Sequence, residues 1–307
     1  MILSVCPNPC IDCTMELDNL NVGKLNRIDS KIINYSGKAL NVAVGAARLG
    51  ENVTASGFMF ENDGALFEQS LIKEGVKPDF VYSKGSVRVN YKIIDKKSML
   101  TEINDSGERV DEDRQTALVD KVKELSRDAE IVVMSGSLPK GVNPVLYRRV
   151  FESVGNNAIK LCDTEKDNLL EALKCGIDLI KPNLSELENV FGRTMNSKKD
   201  IIDSAHKLID LGAKAVIVSL GVDGAIYTNG NKQLYSKSMN VAVNSTVGAG
   251  DAMLSAAAVA IKRGVDEEEL LKMAVSAGTA AVTTSGSNLF YKNKYDEIYE
   301  KVKVERL

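Results

Sequence analysis

The sequence predicts an α/β fold organised on a mostly parallel sheet, and three observations carry that prediction. From Ile131 onward, short apolar runs alternate with helical stretches, which is the pattern of parallel strands joined by right-handed crossovers. Each apolar run ends in small or polar residues, so the groups able to meet a ligand collect at one edge of the sheet, beyond the strands' carboxyl ends. The chain has 307 residues, 44% hydrophobic and 26% charged, a composition that supports a sizeable core and excludes extended disorder.

Composition also removes whole classes of function. A net charge of −3 argues against a general nucleic-acid binder, so any anionic ligand must meet a local basic patch. No apolar run reaches membrane-spanning length, and a cytoplasmic protein is expected. Cys6, Cys10 and Cys13 are clustered, but their spacing fits no zinc pattern and reduced thiols are expected. The only histidine, His206, falls in a helical run where a solvated face is its expected address. A general base must therefore come from a carboxylate.

Taken in order, Met1 to Val5 reads as a first strand rather than a signal peptide, since no basic residue precedes it. Pro7-Asn8-Pro9 ends it. Asp12 follows where open α/β sheets place ligand groups, a position that also suits turn capping. Residues 14–35 read as two or three half-exposed strands made basic by Lys24, Arg27 and Lys31. Gly37-Lys38-Ala39-Leu40-Asn41 leads into a helix over Val42 to Leu49, closed by Gly50. A strand at Val53–Gly57 and a helix at Ala65–Glu74 follow. Val87, Val89, Tyr91 and Ile93 then alternate with Arg88, Asn90 and Lys92. A period of two puts the three polar side chains on one sheet face, though an ordinary strand with a wet face has the same period. The regular part has strands at Ile131–Met134, Ala158–Leu161, Ile177–Ile180 and Ala215–Val218. Helices at Pro144–Ser153, Asp167–Lys174 and Asp200–Leu211 separate them. After the third of these strands, Asn183 and Glu186 lie three residues apart at a helix start. They can face one site, or simply close a capping box.

The most informative stretch runs from Val241 to Ile261. An apolar strand end at Val241–Val243 is expected to pass through the glycine turn Asn244 to Asp251 into an alanine-rich helix. Gly248 and Gly250 let the backbone approach a ligand, and the unpaired N–H groups of a first helical turn attract an anion. Asp251 stands at that positive end, where its charged form should be favoured and can accept a proton. An anion hole beside a base is what phosphoryl transfer to a hydroxyl requires. The same residues would also serve tight helix–sheet packing with a helix-start carboxylate. Met253 stands where a dinucleotide fingerprint needs its third glycine, and no Walker-type loop occurs.

Thr246 to Asp251 resembles the C-terminal signature of the ribokinase-like sugar kinases, in their phosphofructokinase B branch. Asn8-Pro9-Cys10-Ile11-Asp12 is similar to that family's Asn-Pro-x-x-Asp opening. Gly37 to Asn41 resembles its Gly-Gly-Lys-Gly-x-Asn signature, with Ser36 and Ala39 replacing the first and third glycines. Ser135 to Gly141 resembles the Gly-Ser-Leu-Pro-x-Gly loop, and Ser219 to Gly224 the nucleotide-binding turn. Arg88-x-Asn90-x-Lys92 with Thr101-Glu102-Ile103-Asn104 resembles the sugar-phosphate kinases of the family, 1-phosphofructokinases above all, with tagatose-6-phosphate kinases close by. The likeness runs from Asn8 to about Asn288.

That resemblance implies a three-layer ribokinase-like fold, one kinase domain over residues 1–307, with a small β-sheet lid from segments 12–36 and 86–105. It implies ATP-dependent phosphorylation of a hexose phosphate, foremost fructose 1-phosphate to fructose 1,6-bisphosphate. Tagatose 6-phosphate and fructose 6-phosphate are the alternatives; a nucleoside or unphosphorylated-sugar kinase, or a non-catalytic nucleotide sensor, fits less well. Asp251 would be the base, with Gly248, Ala249 and Gly250 as the anion hole. Asp12, Gly37, Asn41, Asn90 and Ser137 would meet the sugar, and Arg88 with Lys24, Lys38 or Lys92 its phosphate. Lys181, Asn183, Ser219, Gly221, Gly224 and Thr246 would hold ATP, and Glu186 with Asn183 would order Mg²⁺ through water. Ser276 to Gly286 would border the adenine and a K⁺ site, with the asparagine of some relatives falling at Ala281. The lid is expected to pair with a second copy in a homodimer.

Overall fold

The computed structural model describes residues 1–97, 99–284 and 289–307. Its first half contains β1 (Ile2–Cys6), β2 (Cys10–Leu17), β3 (Ser30–Ser36), α1 (Lys38–Arg48), β4 (Val53–Phe60), α2 (Gly64–Lys73), β5 (Val76–Pro78), β6 (Val81–Ser83), β7 (Arg88–Asp95), β8 (Leu100–Asn104), α3 (Glu112–Leu125) and β9 (Ile131–Ser135). Its second half contains α4 (Val145–Ser153), β10 (Ile159–Asp163), α5 (Lys166–Leu173), β11 (Leu179–Ile180), α6 (Leu184–Phe191), α7 (Lys198–Asp210), β12 (Val216–Ser219), β13 (Ala225–Thr228), β14 (Gln233–Ser236), α8 (Ala249–Lys262), α9 (Glu267–Ala281), α10 (Lys292–Tyr299) and β15 (Glu305–Arg306).

The large sheet runs β15-β14-β13-β12-β11-β10-β9-β1-β4-β5, with β6 also beside β4. From β5 to β12 every pairing is parallel, while β13, β14 and β15 are antiparallel. The inner strands are apolar throughout because both faces are covered: β1, β4 and β9 are buried at every residue. In α8 all ten residues from Asp251 to Ala260 are buried, between α1 and α9. Gly45 in α1 and Gly278 in α9 permit that close approach, since a Cβ at either would meet α8 side-chain atoms below 3 Å.

A second sheet of four strands, β3-β2-β7-β8, stands off the carboxyl edge of the first. Its register aligns Asn34, Asp12, Asn90 and Asn104 in one row across the four strands, and Ile33, Cys13, Tyr91 and Ile103 in the next. Alternation therefore gives it one polar face and one apolar face.

Several expectations need correction. Val241–Val243 is no strand: β14 ends at Ser236, and 237–248 is irregular chain along the cleft, where Val241 and Val243 line the cavity rather than joining a ladder. Helix α1 begins at Lys38, four residues before the expected start, because Gly37 at φ 148° serves as the N-cap. His206 is half-buried rather than on a solvated face, its Nε2 2.9 Å from Thr228 Oγ1 on β13. Among the described residues no helix is long and apolar enough to cross a membrane.

Candidate active site

A cavity of about 1040 Å³ lies between the polar face of the small sheet and the carboxyl edge of the large one. The N-termini of α1, α6 and α8 all open on it, which concentrates unpaired N–H groups and positive dipole ends in one place. The residues expected to act as base, anion hole, sugar, ATP or Mg²⁺ ligands line it, except Lys24; of the 276–286 stretch, Gly278, Thr279 and Val282 line it and Ser276 and Ala281 do not.

Asp251 sits in the first turn of α8, 7% exposed. Gly248, at φ 80°, turns the chain into the helix, and Ala252 N–H is the first to bond back, to Gly248 O at 2.9 Å. The N–H groups of Gly248, Ala249 and Gly250 are thus left facing the cleft. Asn41 comes from the first turn of α1, 210 residues away, and its Nδ2 donates to Asp251 Oδ2 at 2.7 Å. Burial pushes the Asp251 carboxyl up to about 6; the Lys38 charge pulls it down, Asp163 raises it, and Asn41 and Lys181 pull it down. The helix end alone had suggested an easily ionised carboxylate, but desolvation outweighs it.

Two ammonium groups flank these N–H groups. Lys181 Nζ lies over Gly250, at 2.9 Å from where a Cβ would stand, so a side chain there would displace it. Lys38 reaches the same region from the start of α1. Both are anchored on Asp163, at 3.3 Å for Lys181 and 3.5 Å for Lys38, and Lys38 also stands 3.7 Å from Glu186 Oε1. Burial alone would raise the Asp163 pKa, but the charges of Lys181 and Lys38 hold it below the usual carboxylate range. The Asp163 charge raises Lys38 in turn. Asp163 was missed from the sequence. The signal available was an acidic residue at the carboxyl end of an inner parallel strand, β10, between neighbours already suspected.

Asn183 and Glu186 do close a capping box: Asn183 Oδ1 accepts from Glu186 N–H at 2.8 Å, and Glu186 Oε2 from Asn183 N–H at 2.9 Å. The box leaves Glu186 Oε1 turned toward Lys38 and the cavity.

On the small-sheet side, Asp12 forms a buried ion pair with Lys92 at 3.0 Å and accepts from Asn90 Nδ2 at 3.3 Å. Lys92 is therefore committed to Asp12, which leaves Arg88 as the cation of this strand with donors to spare. Arg88 is steadied through Asn90 Oδ1 and Asn8 O, both at 3.3 Å, and Asn8 Nδ2 reaches Ser137 Oγ at 3.0 Å. Lys24 lies on the exposed 18–29 loop that joins β2 to β3 and does not line the cavity. Burial pushes the Cys6 and Cys10 thiols up to about 11 and about 12, so they remain protonated at neutral pH.

Toward β12 the cavity is lined by Ser219, Gly221, Gly224 and Thr246 together with the apolar residues Val241, Val243, Val275 and Val282. Ala281 points into the core instead, fully buried. Ser285 and Gly286, expected at a cation site, lie outside the described residues.

The model of the pfkB family carbohydrate kinases matches residues 7–293, nearly the whole chain. The chain belongs to the pfkB family of carbohydrate kinases. Its curated relatives include the 1-phosphofructokinase of Borreliella burgdorferi, 32% identical with 91% of both chains covered. Another is the 1-phosphofructokinase of Vibrio cholerae, 29% identical over 100% of this chain and 97% of that one. The crystal structure of Escherichia coli phosphofructokinase-2 in complex with potassium superposes with a TM-score of 0.91, at 27% identity and 98% coverage of both chains. A member of this family is a sugar kinase with a ribokinase-like fold, as the sequence motifs implied.

Proposed function

We propose that this kinase transfers the γ-phosphoryl group of ATP to the free hydroxymethyl group of fructose 1-phosphate, giving fructose 1,6-bisphosphate. The observation that carries the reading is one cavity with a buried carboxylate and an anion hole at its centre, and Arg88 at the small-sheet end to receive a phosphate already on the sugar. Arg suits that task because its planar fork binds phosphate oxygens bidentately. Asp251 takes the hydroxyl proton as the oxygen attacks the γ-phosphorus and the bond to the bridging oxygen breaks, releasing ADP. The N–H groups of Gly248, Ala249 and Gly250, with Lys38 and Lys181, balance the charge that moves onto the transferring group. Asp12, Gly37, Asn90 and Ser137 line the space for the sugar, and the slot from Lys181 to Ser219 and Thr246 the space for the nucleotide.

Mg²⁺ fits this site. Among the described residues no three His, Cys, Asp or Glu side chains converge on one point, so the chain offers no cage of its own. It offers Glu186 Oε1, and one carboxylate beside substrate phosphates and water is the usual provision for this ion. Glu186, with Asn183 beside it, would hold the ion through water, and the ion supplies charge neutralisation between the phosphates. K⁺ enters the proposal from the resemblance and from the solved phosphofructokinase-2 with potassium.

We further propose that the small sheet closes on the sugar as a lid, and that a second copy covers its outer face. Ile33, Tyr91 and Ile103 lie in one row there at 47%, 40% and 56% exposure, a pattern that monomers rarely leave open. Val87 and Ile93, which alternate with the polar residues of the same strand region, are already buried within the subunit. One relative's fold, that of phosphofructokinase-2, was solved as a tetrameric inhibited form. Five free cysteines accord with a cytoplasmic setting. The deciding experiment is kcat/KM measured side by side on fructose 1-phosphate, fructose 6-phosphate and tagatose 6-phosphate. The first should be preferred; a clear preference for either 6-phosphate overturns the substrate and leaves the kinase mechanism standing.

A further inference from the structure

We propose that Asn41 is the positioning residue of the Asp251 base, and that Ser36 holds the far end of its amide in place. The inference rests on the reading of Asp251 as base. The side chain of Asn41 is buried and spans two partners. Its Nδ2 donates to Asp251 Oδ2 at 2.7 Å, a charge-assisted length, and its Oδ1 accepts from Ser36 Oγ at 3.4 Å. An amide has a donor end and an acceptor end; an ionised carboxylate only accepts, so the NH₂ faces Asp251, and the Ser36 hydroxyl, which can donate, meets the oxygen left on the other side. Ser36 stands where the resembling signature has a glycine, so the hydroxyl that anchors the amide is a feature of this chain.

The packing of the two helices holds the arrangement rigid. Gly45 lies one turn beyond Asn41 and meets Ser255, one turn beyond Asp251; a Cβ at Gly45 would come within 2.3 Å of Ser255 Oγ. The contact at the second turn therefore sets the distance at the first. Asp251 keeps one carboxylate oxygen on Asn41 while the other is left to receive the hydroxyl proton. The charged groups facing Asp251 are Lys38 on α1, Asp163 at the end of β10 and Lys181 just after β11. From Met273 to Ala281, α9 carries no ionisable side chain. Asn41 is the neutral donor among them, and its bond favours the ionised form of the base.

A residue that only touched sugar would change KM. A residue that positions the base must change kcat and the pH at which the base works. Asn41→Ala should lower kcat about 10²-fold, the cost of misplacing a reacting group, with a smaller change in sugar KM. The acid limb of kcat should move to higher pH by about one to two units, because the donor that favoured the carboxylate is gone. Ser36→Ala should give a weaker version of both effects, and Ser36→Thr, which keeps the hydroxyl, should restore them. The Asp251 titration is also followed in the ligand-free protein by carboxyl carbon NMR, in wild type, Asn41→Ala and Ser36→Ala. That readout stands whether or not fructose 1-phosphate is the substrate, and whether or not the protein turns over. An unmoved Asp251 titration, or a rise in sugar KM with kcat and its acid limb unchanged, overturns the proposal. Should Asn41→Ala not fold, the Ser36 pair carries the same test.

Discussion

Gly45→Ala tests how far the geometry of the base depends on one helix–helix contact. The new Cβ would lie 2.3 Å from Ser255 Oγ and 2.8 Å from Ser255 Cβ. Carbon atoms pack at about 3.5–4.0 Å, so α1 and α8 must separate by about 1 Å at this point. Overpacking of this kind costs about 1–3 kcal/mol, and the better helix propensity of alanine returns about 1 kcal/mol. The net loss is about 1 kcal/mol, a fall in Tm of about 1–2 °C for a chain of this length. The catalytic consequence should be larger. Asn41 and Asp251 are one turn away, their 2.7 Å bond is the contact that the separation stretches, and a 1 Å misplacement costs about 10²-fold in rate. The assay is a coupled kinase measurement beside thermal unfolding, with Ser255→Gly introduced as a second change to remove the obstructing Cβ. The double variant should regain most of the lost kcat. A Gly45→Ala enzyme with kcat within twofold of wild type would refute the reasoning, since the α1–α8 spacing would then not set the base.

Asp251→Asn should lower turnover by about 10²–10⁴-fold while nucleotide titration still shows binding. The same variant should be more stable than wild type above pH 6. The folded-state pKa of Asp251 is raised from 3.8 to about 6, so the folded form holds its proton more tightly, and stability falls as pH rises through that window. The difference should reach about 2–3 kcal/mol in denaturant unfolding at pH 7.5, and an equally stable or weaker variant would contradict the burial argument. Wild-type kcat should fall on the acid side with a midpoint near pH 6, where burial places the Asp251 carboxyl, and a midpoint near 4 would mean that the base is solvated. Arg88→Ala should raise the KM for sugar phosphate and leave ATP affinity unchanged; an unaffected sugar KM would remove Arg88 from the phosphate site. Ile33→Asp with Tyr91→Lys should convert a sedimenting dimer to monomer, and a wild-type monomer at micromolar concentration would refute the lid contact.

The sequence by itself determined the class of fold, the run of parallel strands from Ile131, and the glycine turn that opens a helix at Asp251. These are local matters: periodicity, turn chemistry and helix starts are written in neighbouring residues. It was blind to β13, β14 and β15, whose antiparallel edge depends on which chain lies alongside, and it read Val241–Val243 as strand because apolar residues that face a ligand look like residues that face a core. Tertiary structure alone decided the partners. It joined Asn41 to Asp251 across 210 residues, tied Lys92 to Asp12, and gathered Lys38 and Lys181 onto Asp163, a residue that no motif marked. It also reversed the expected ease of ionisation at Asp251, since a helix start favours the charge but the depth of burial, which outweighs it, exists only once α1 and α9 have closed around α8.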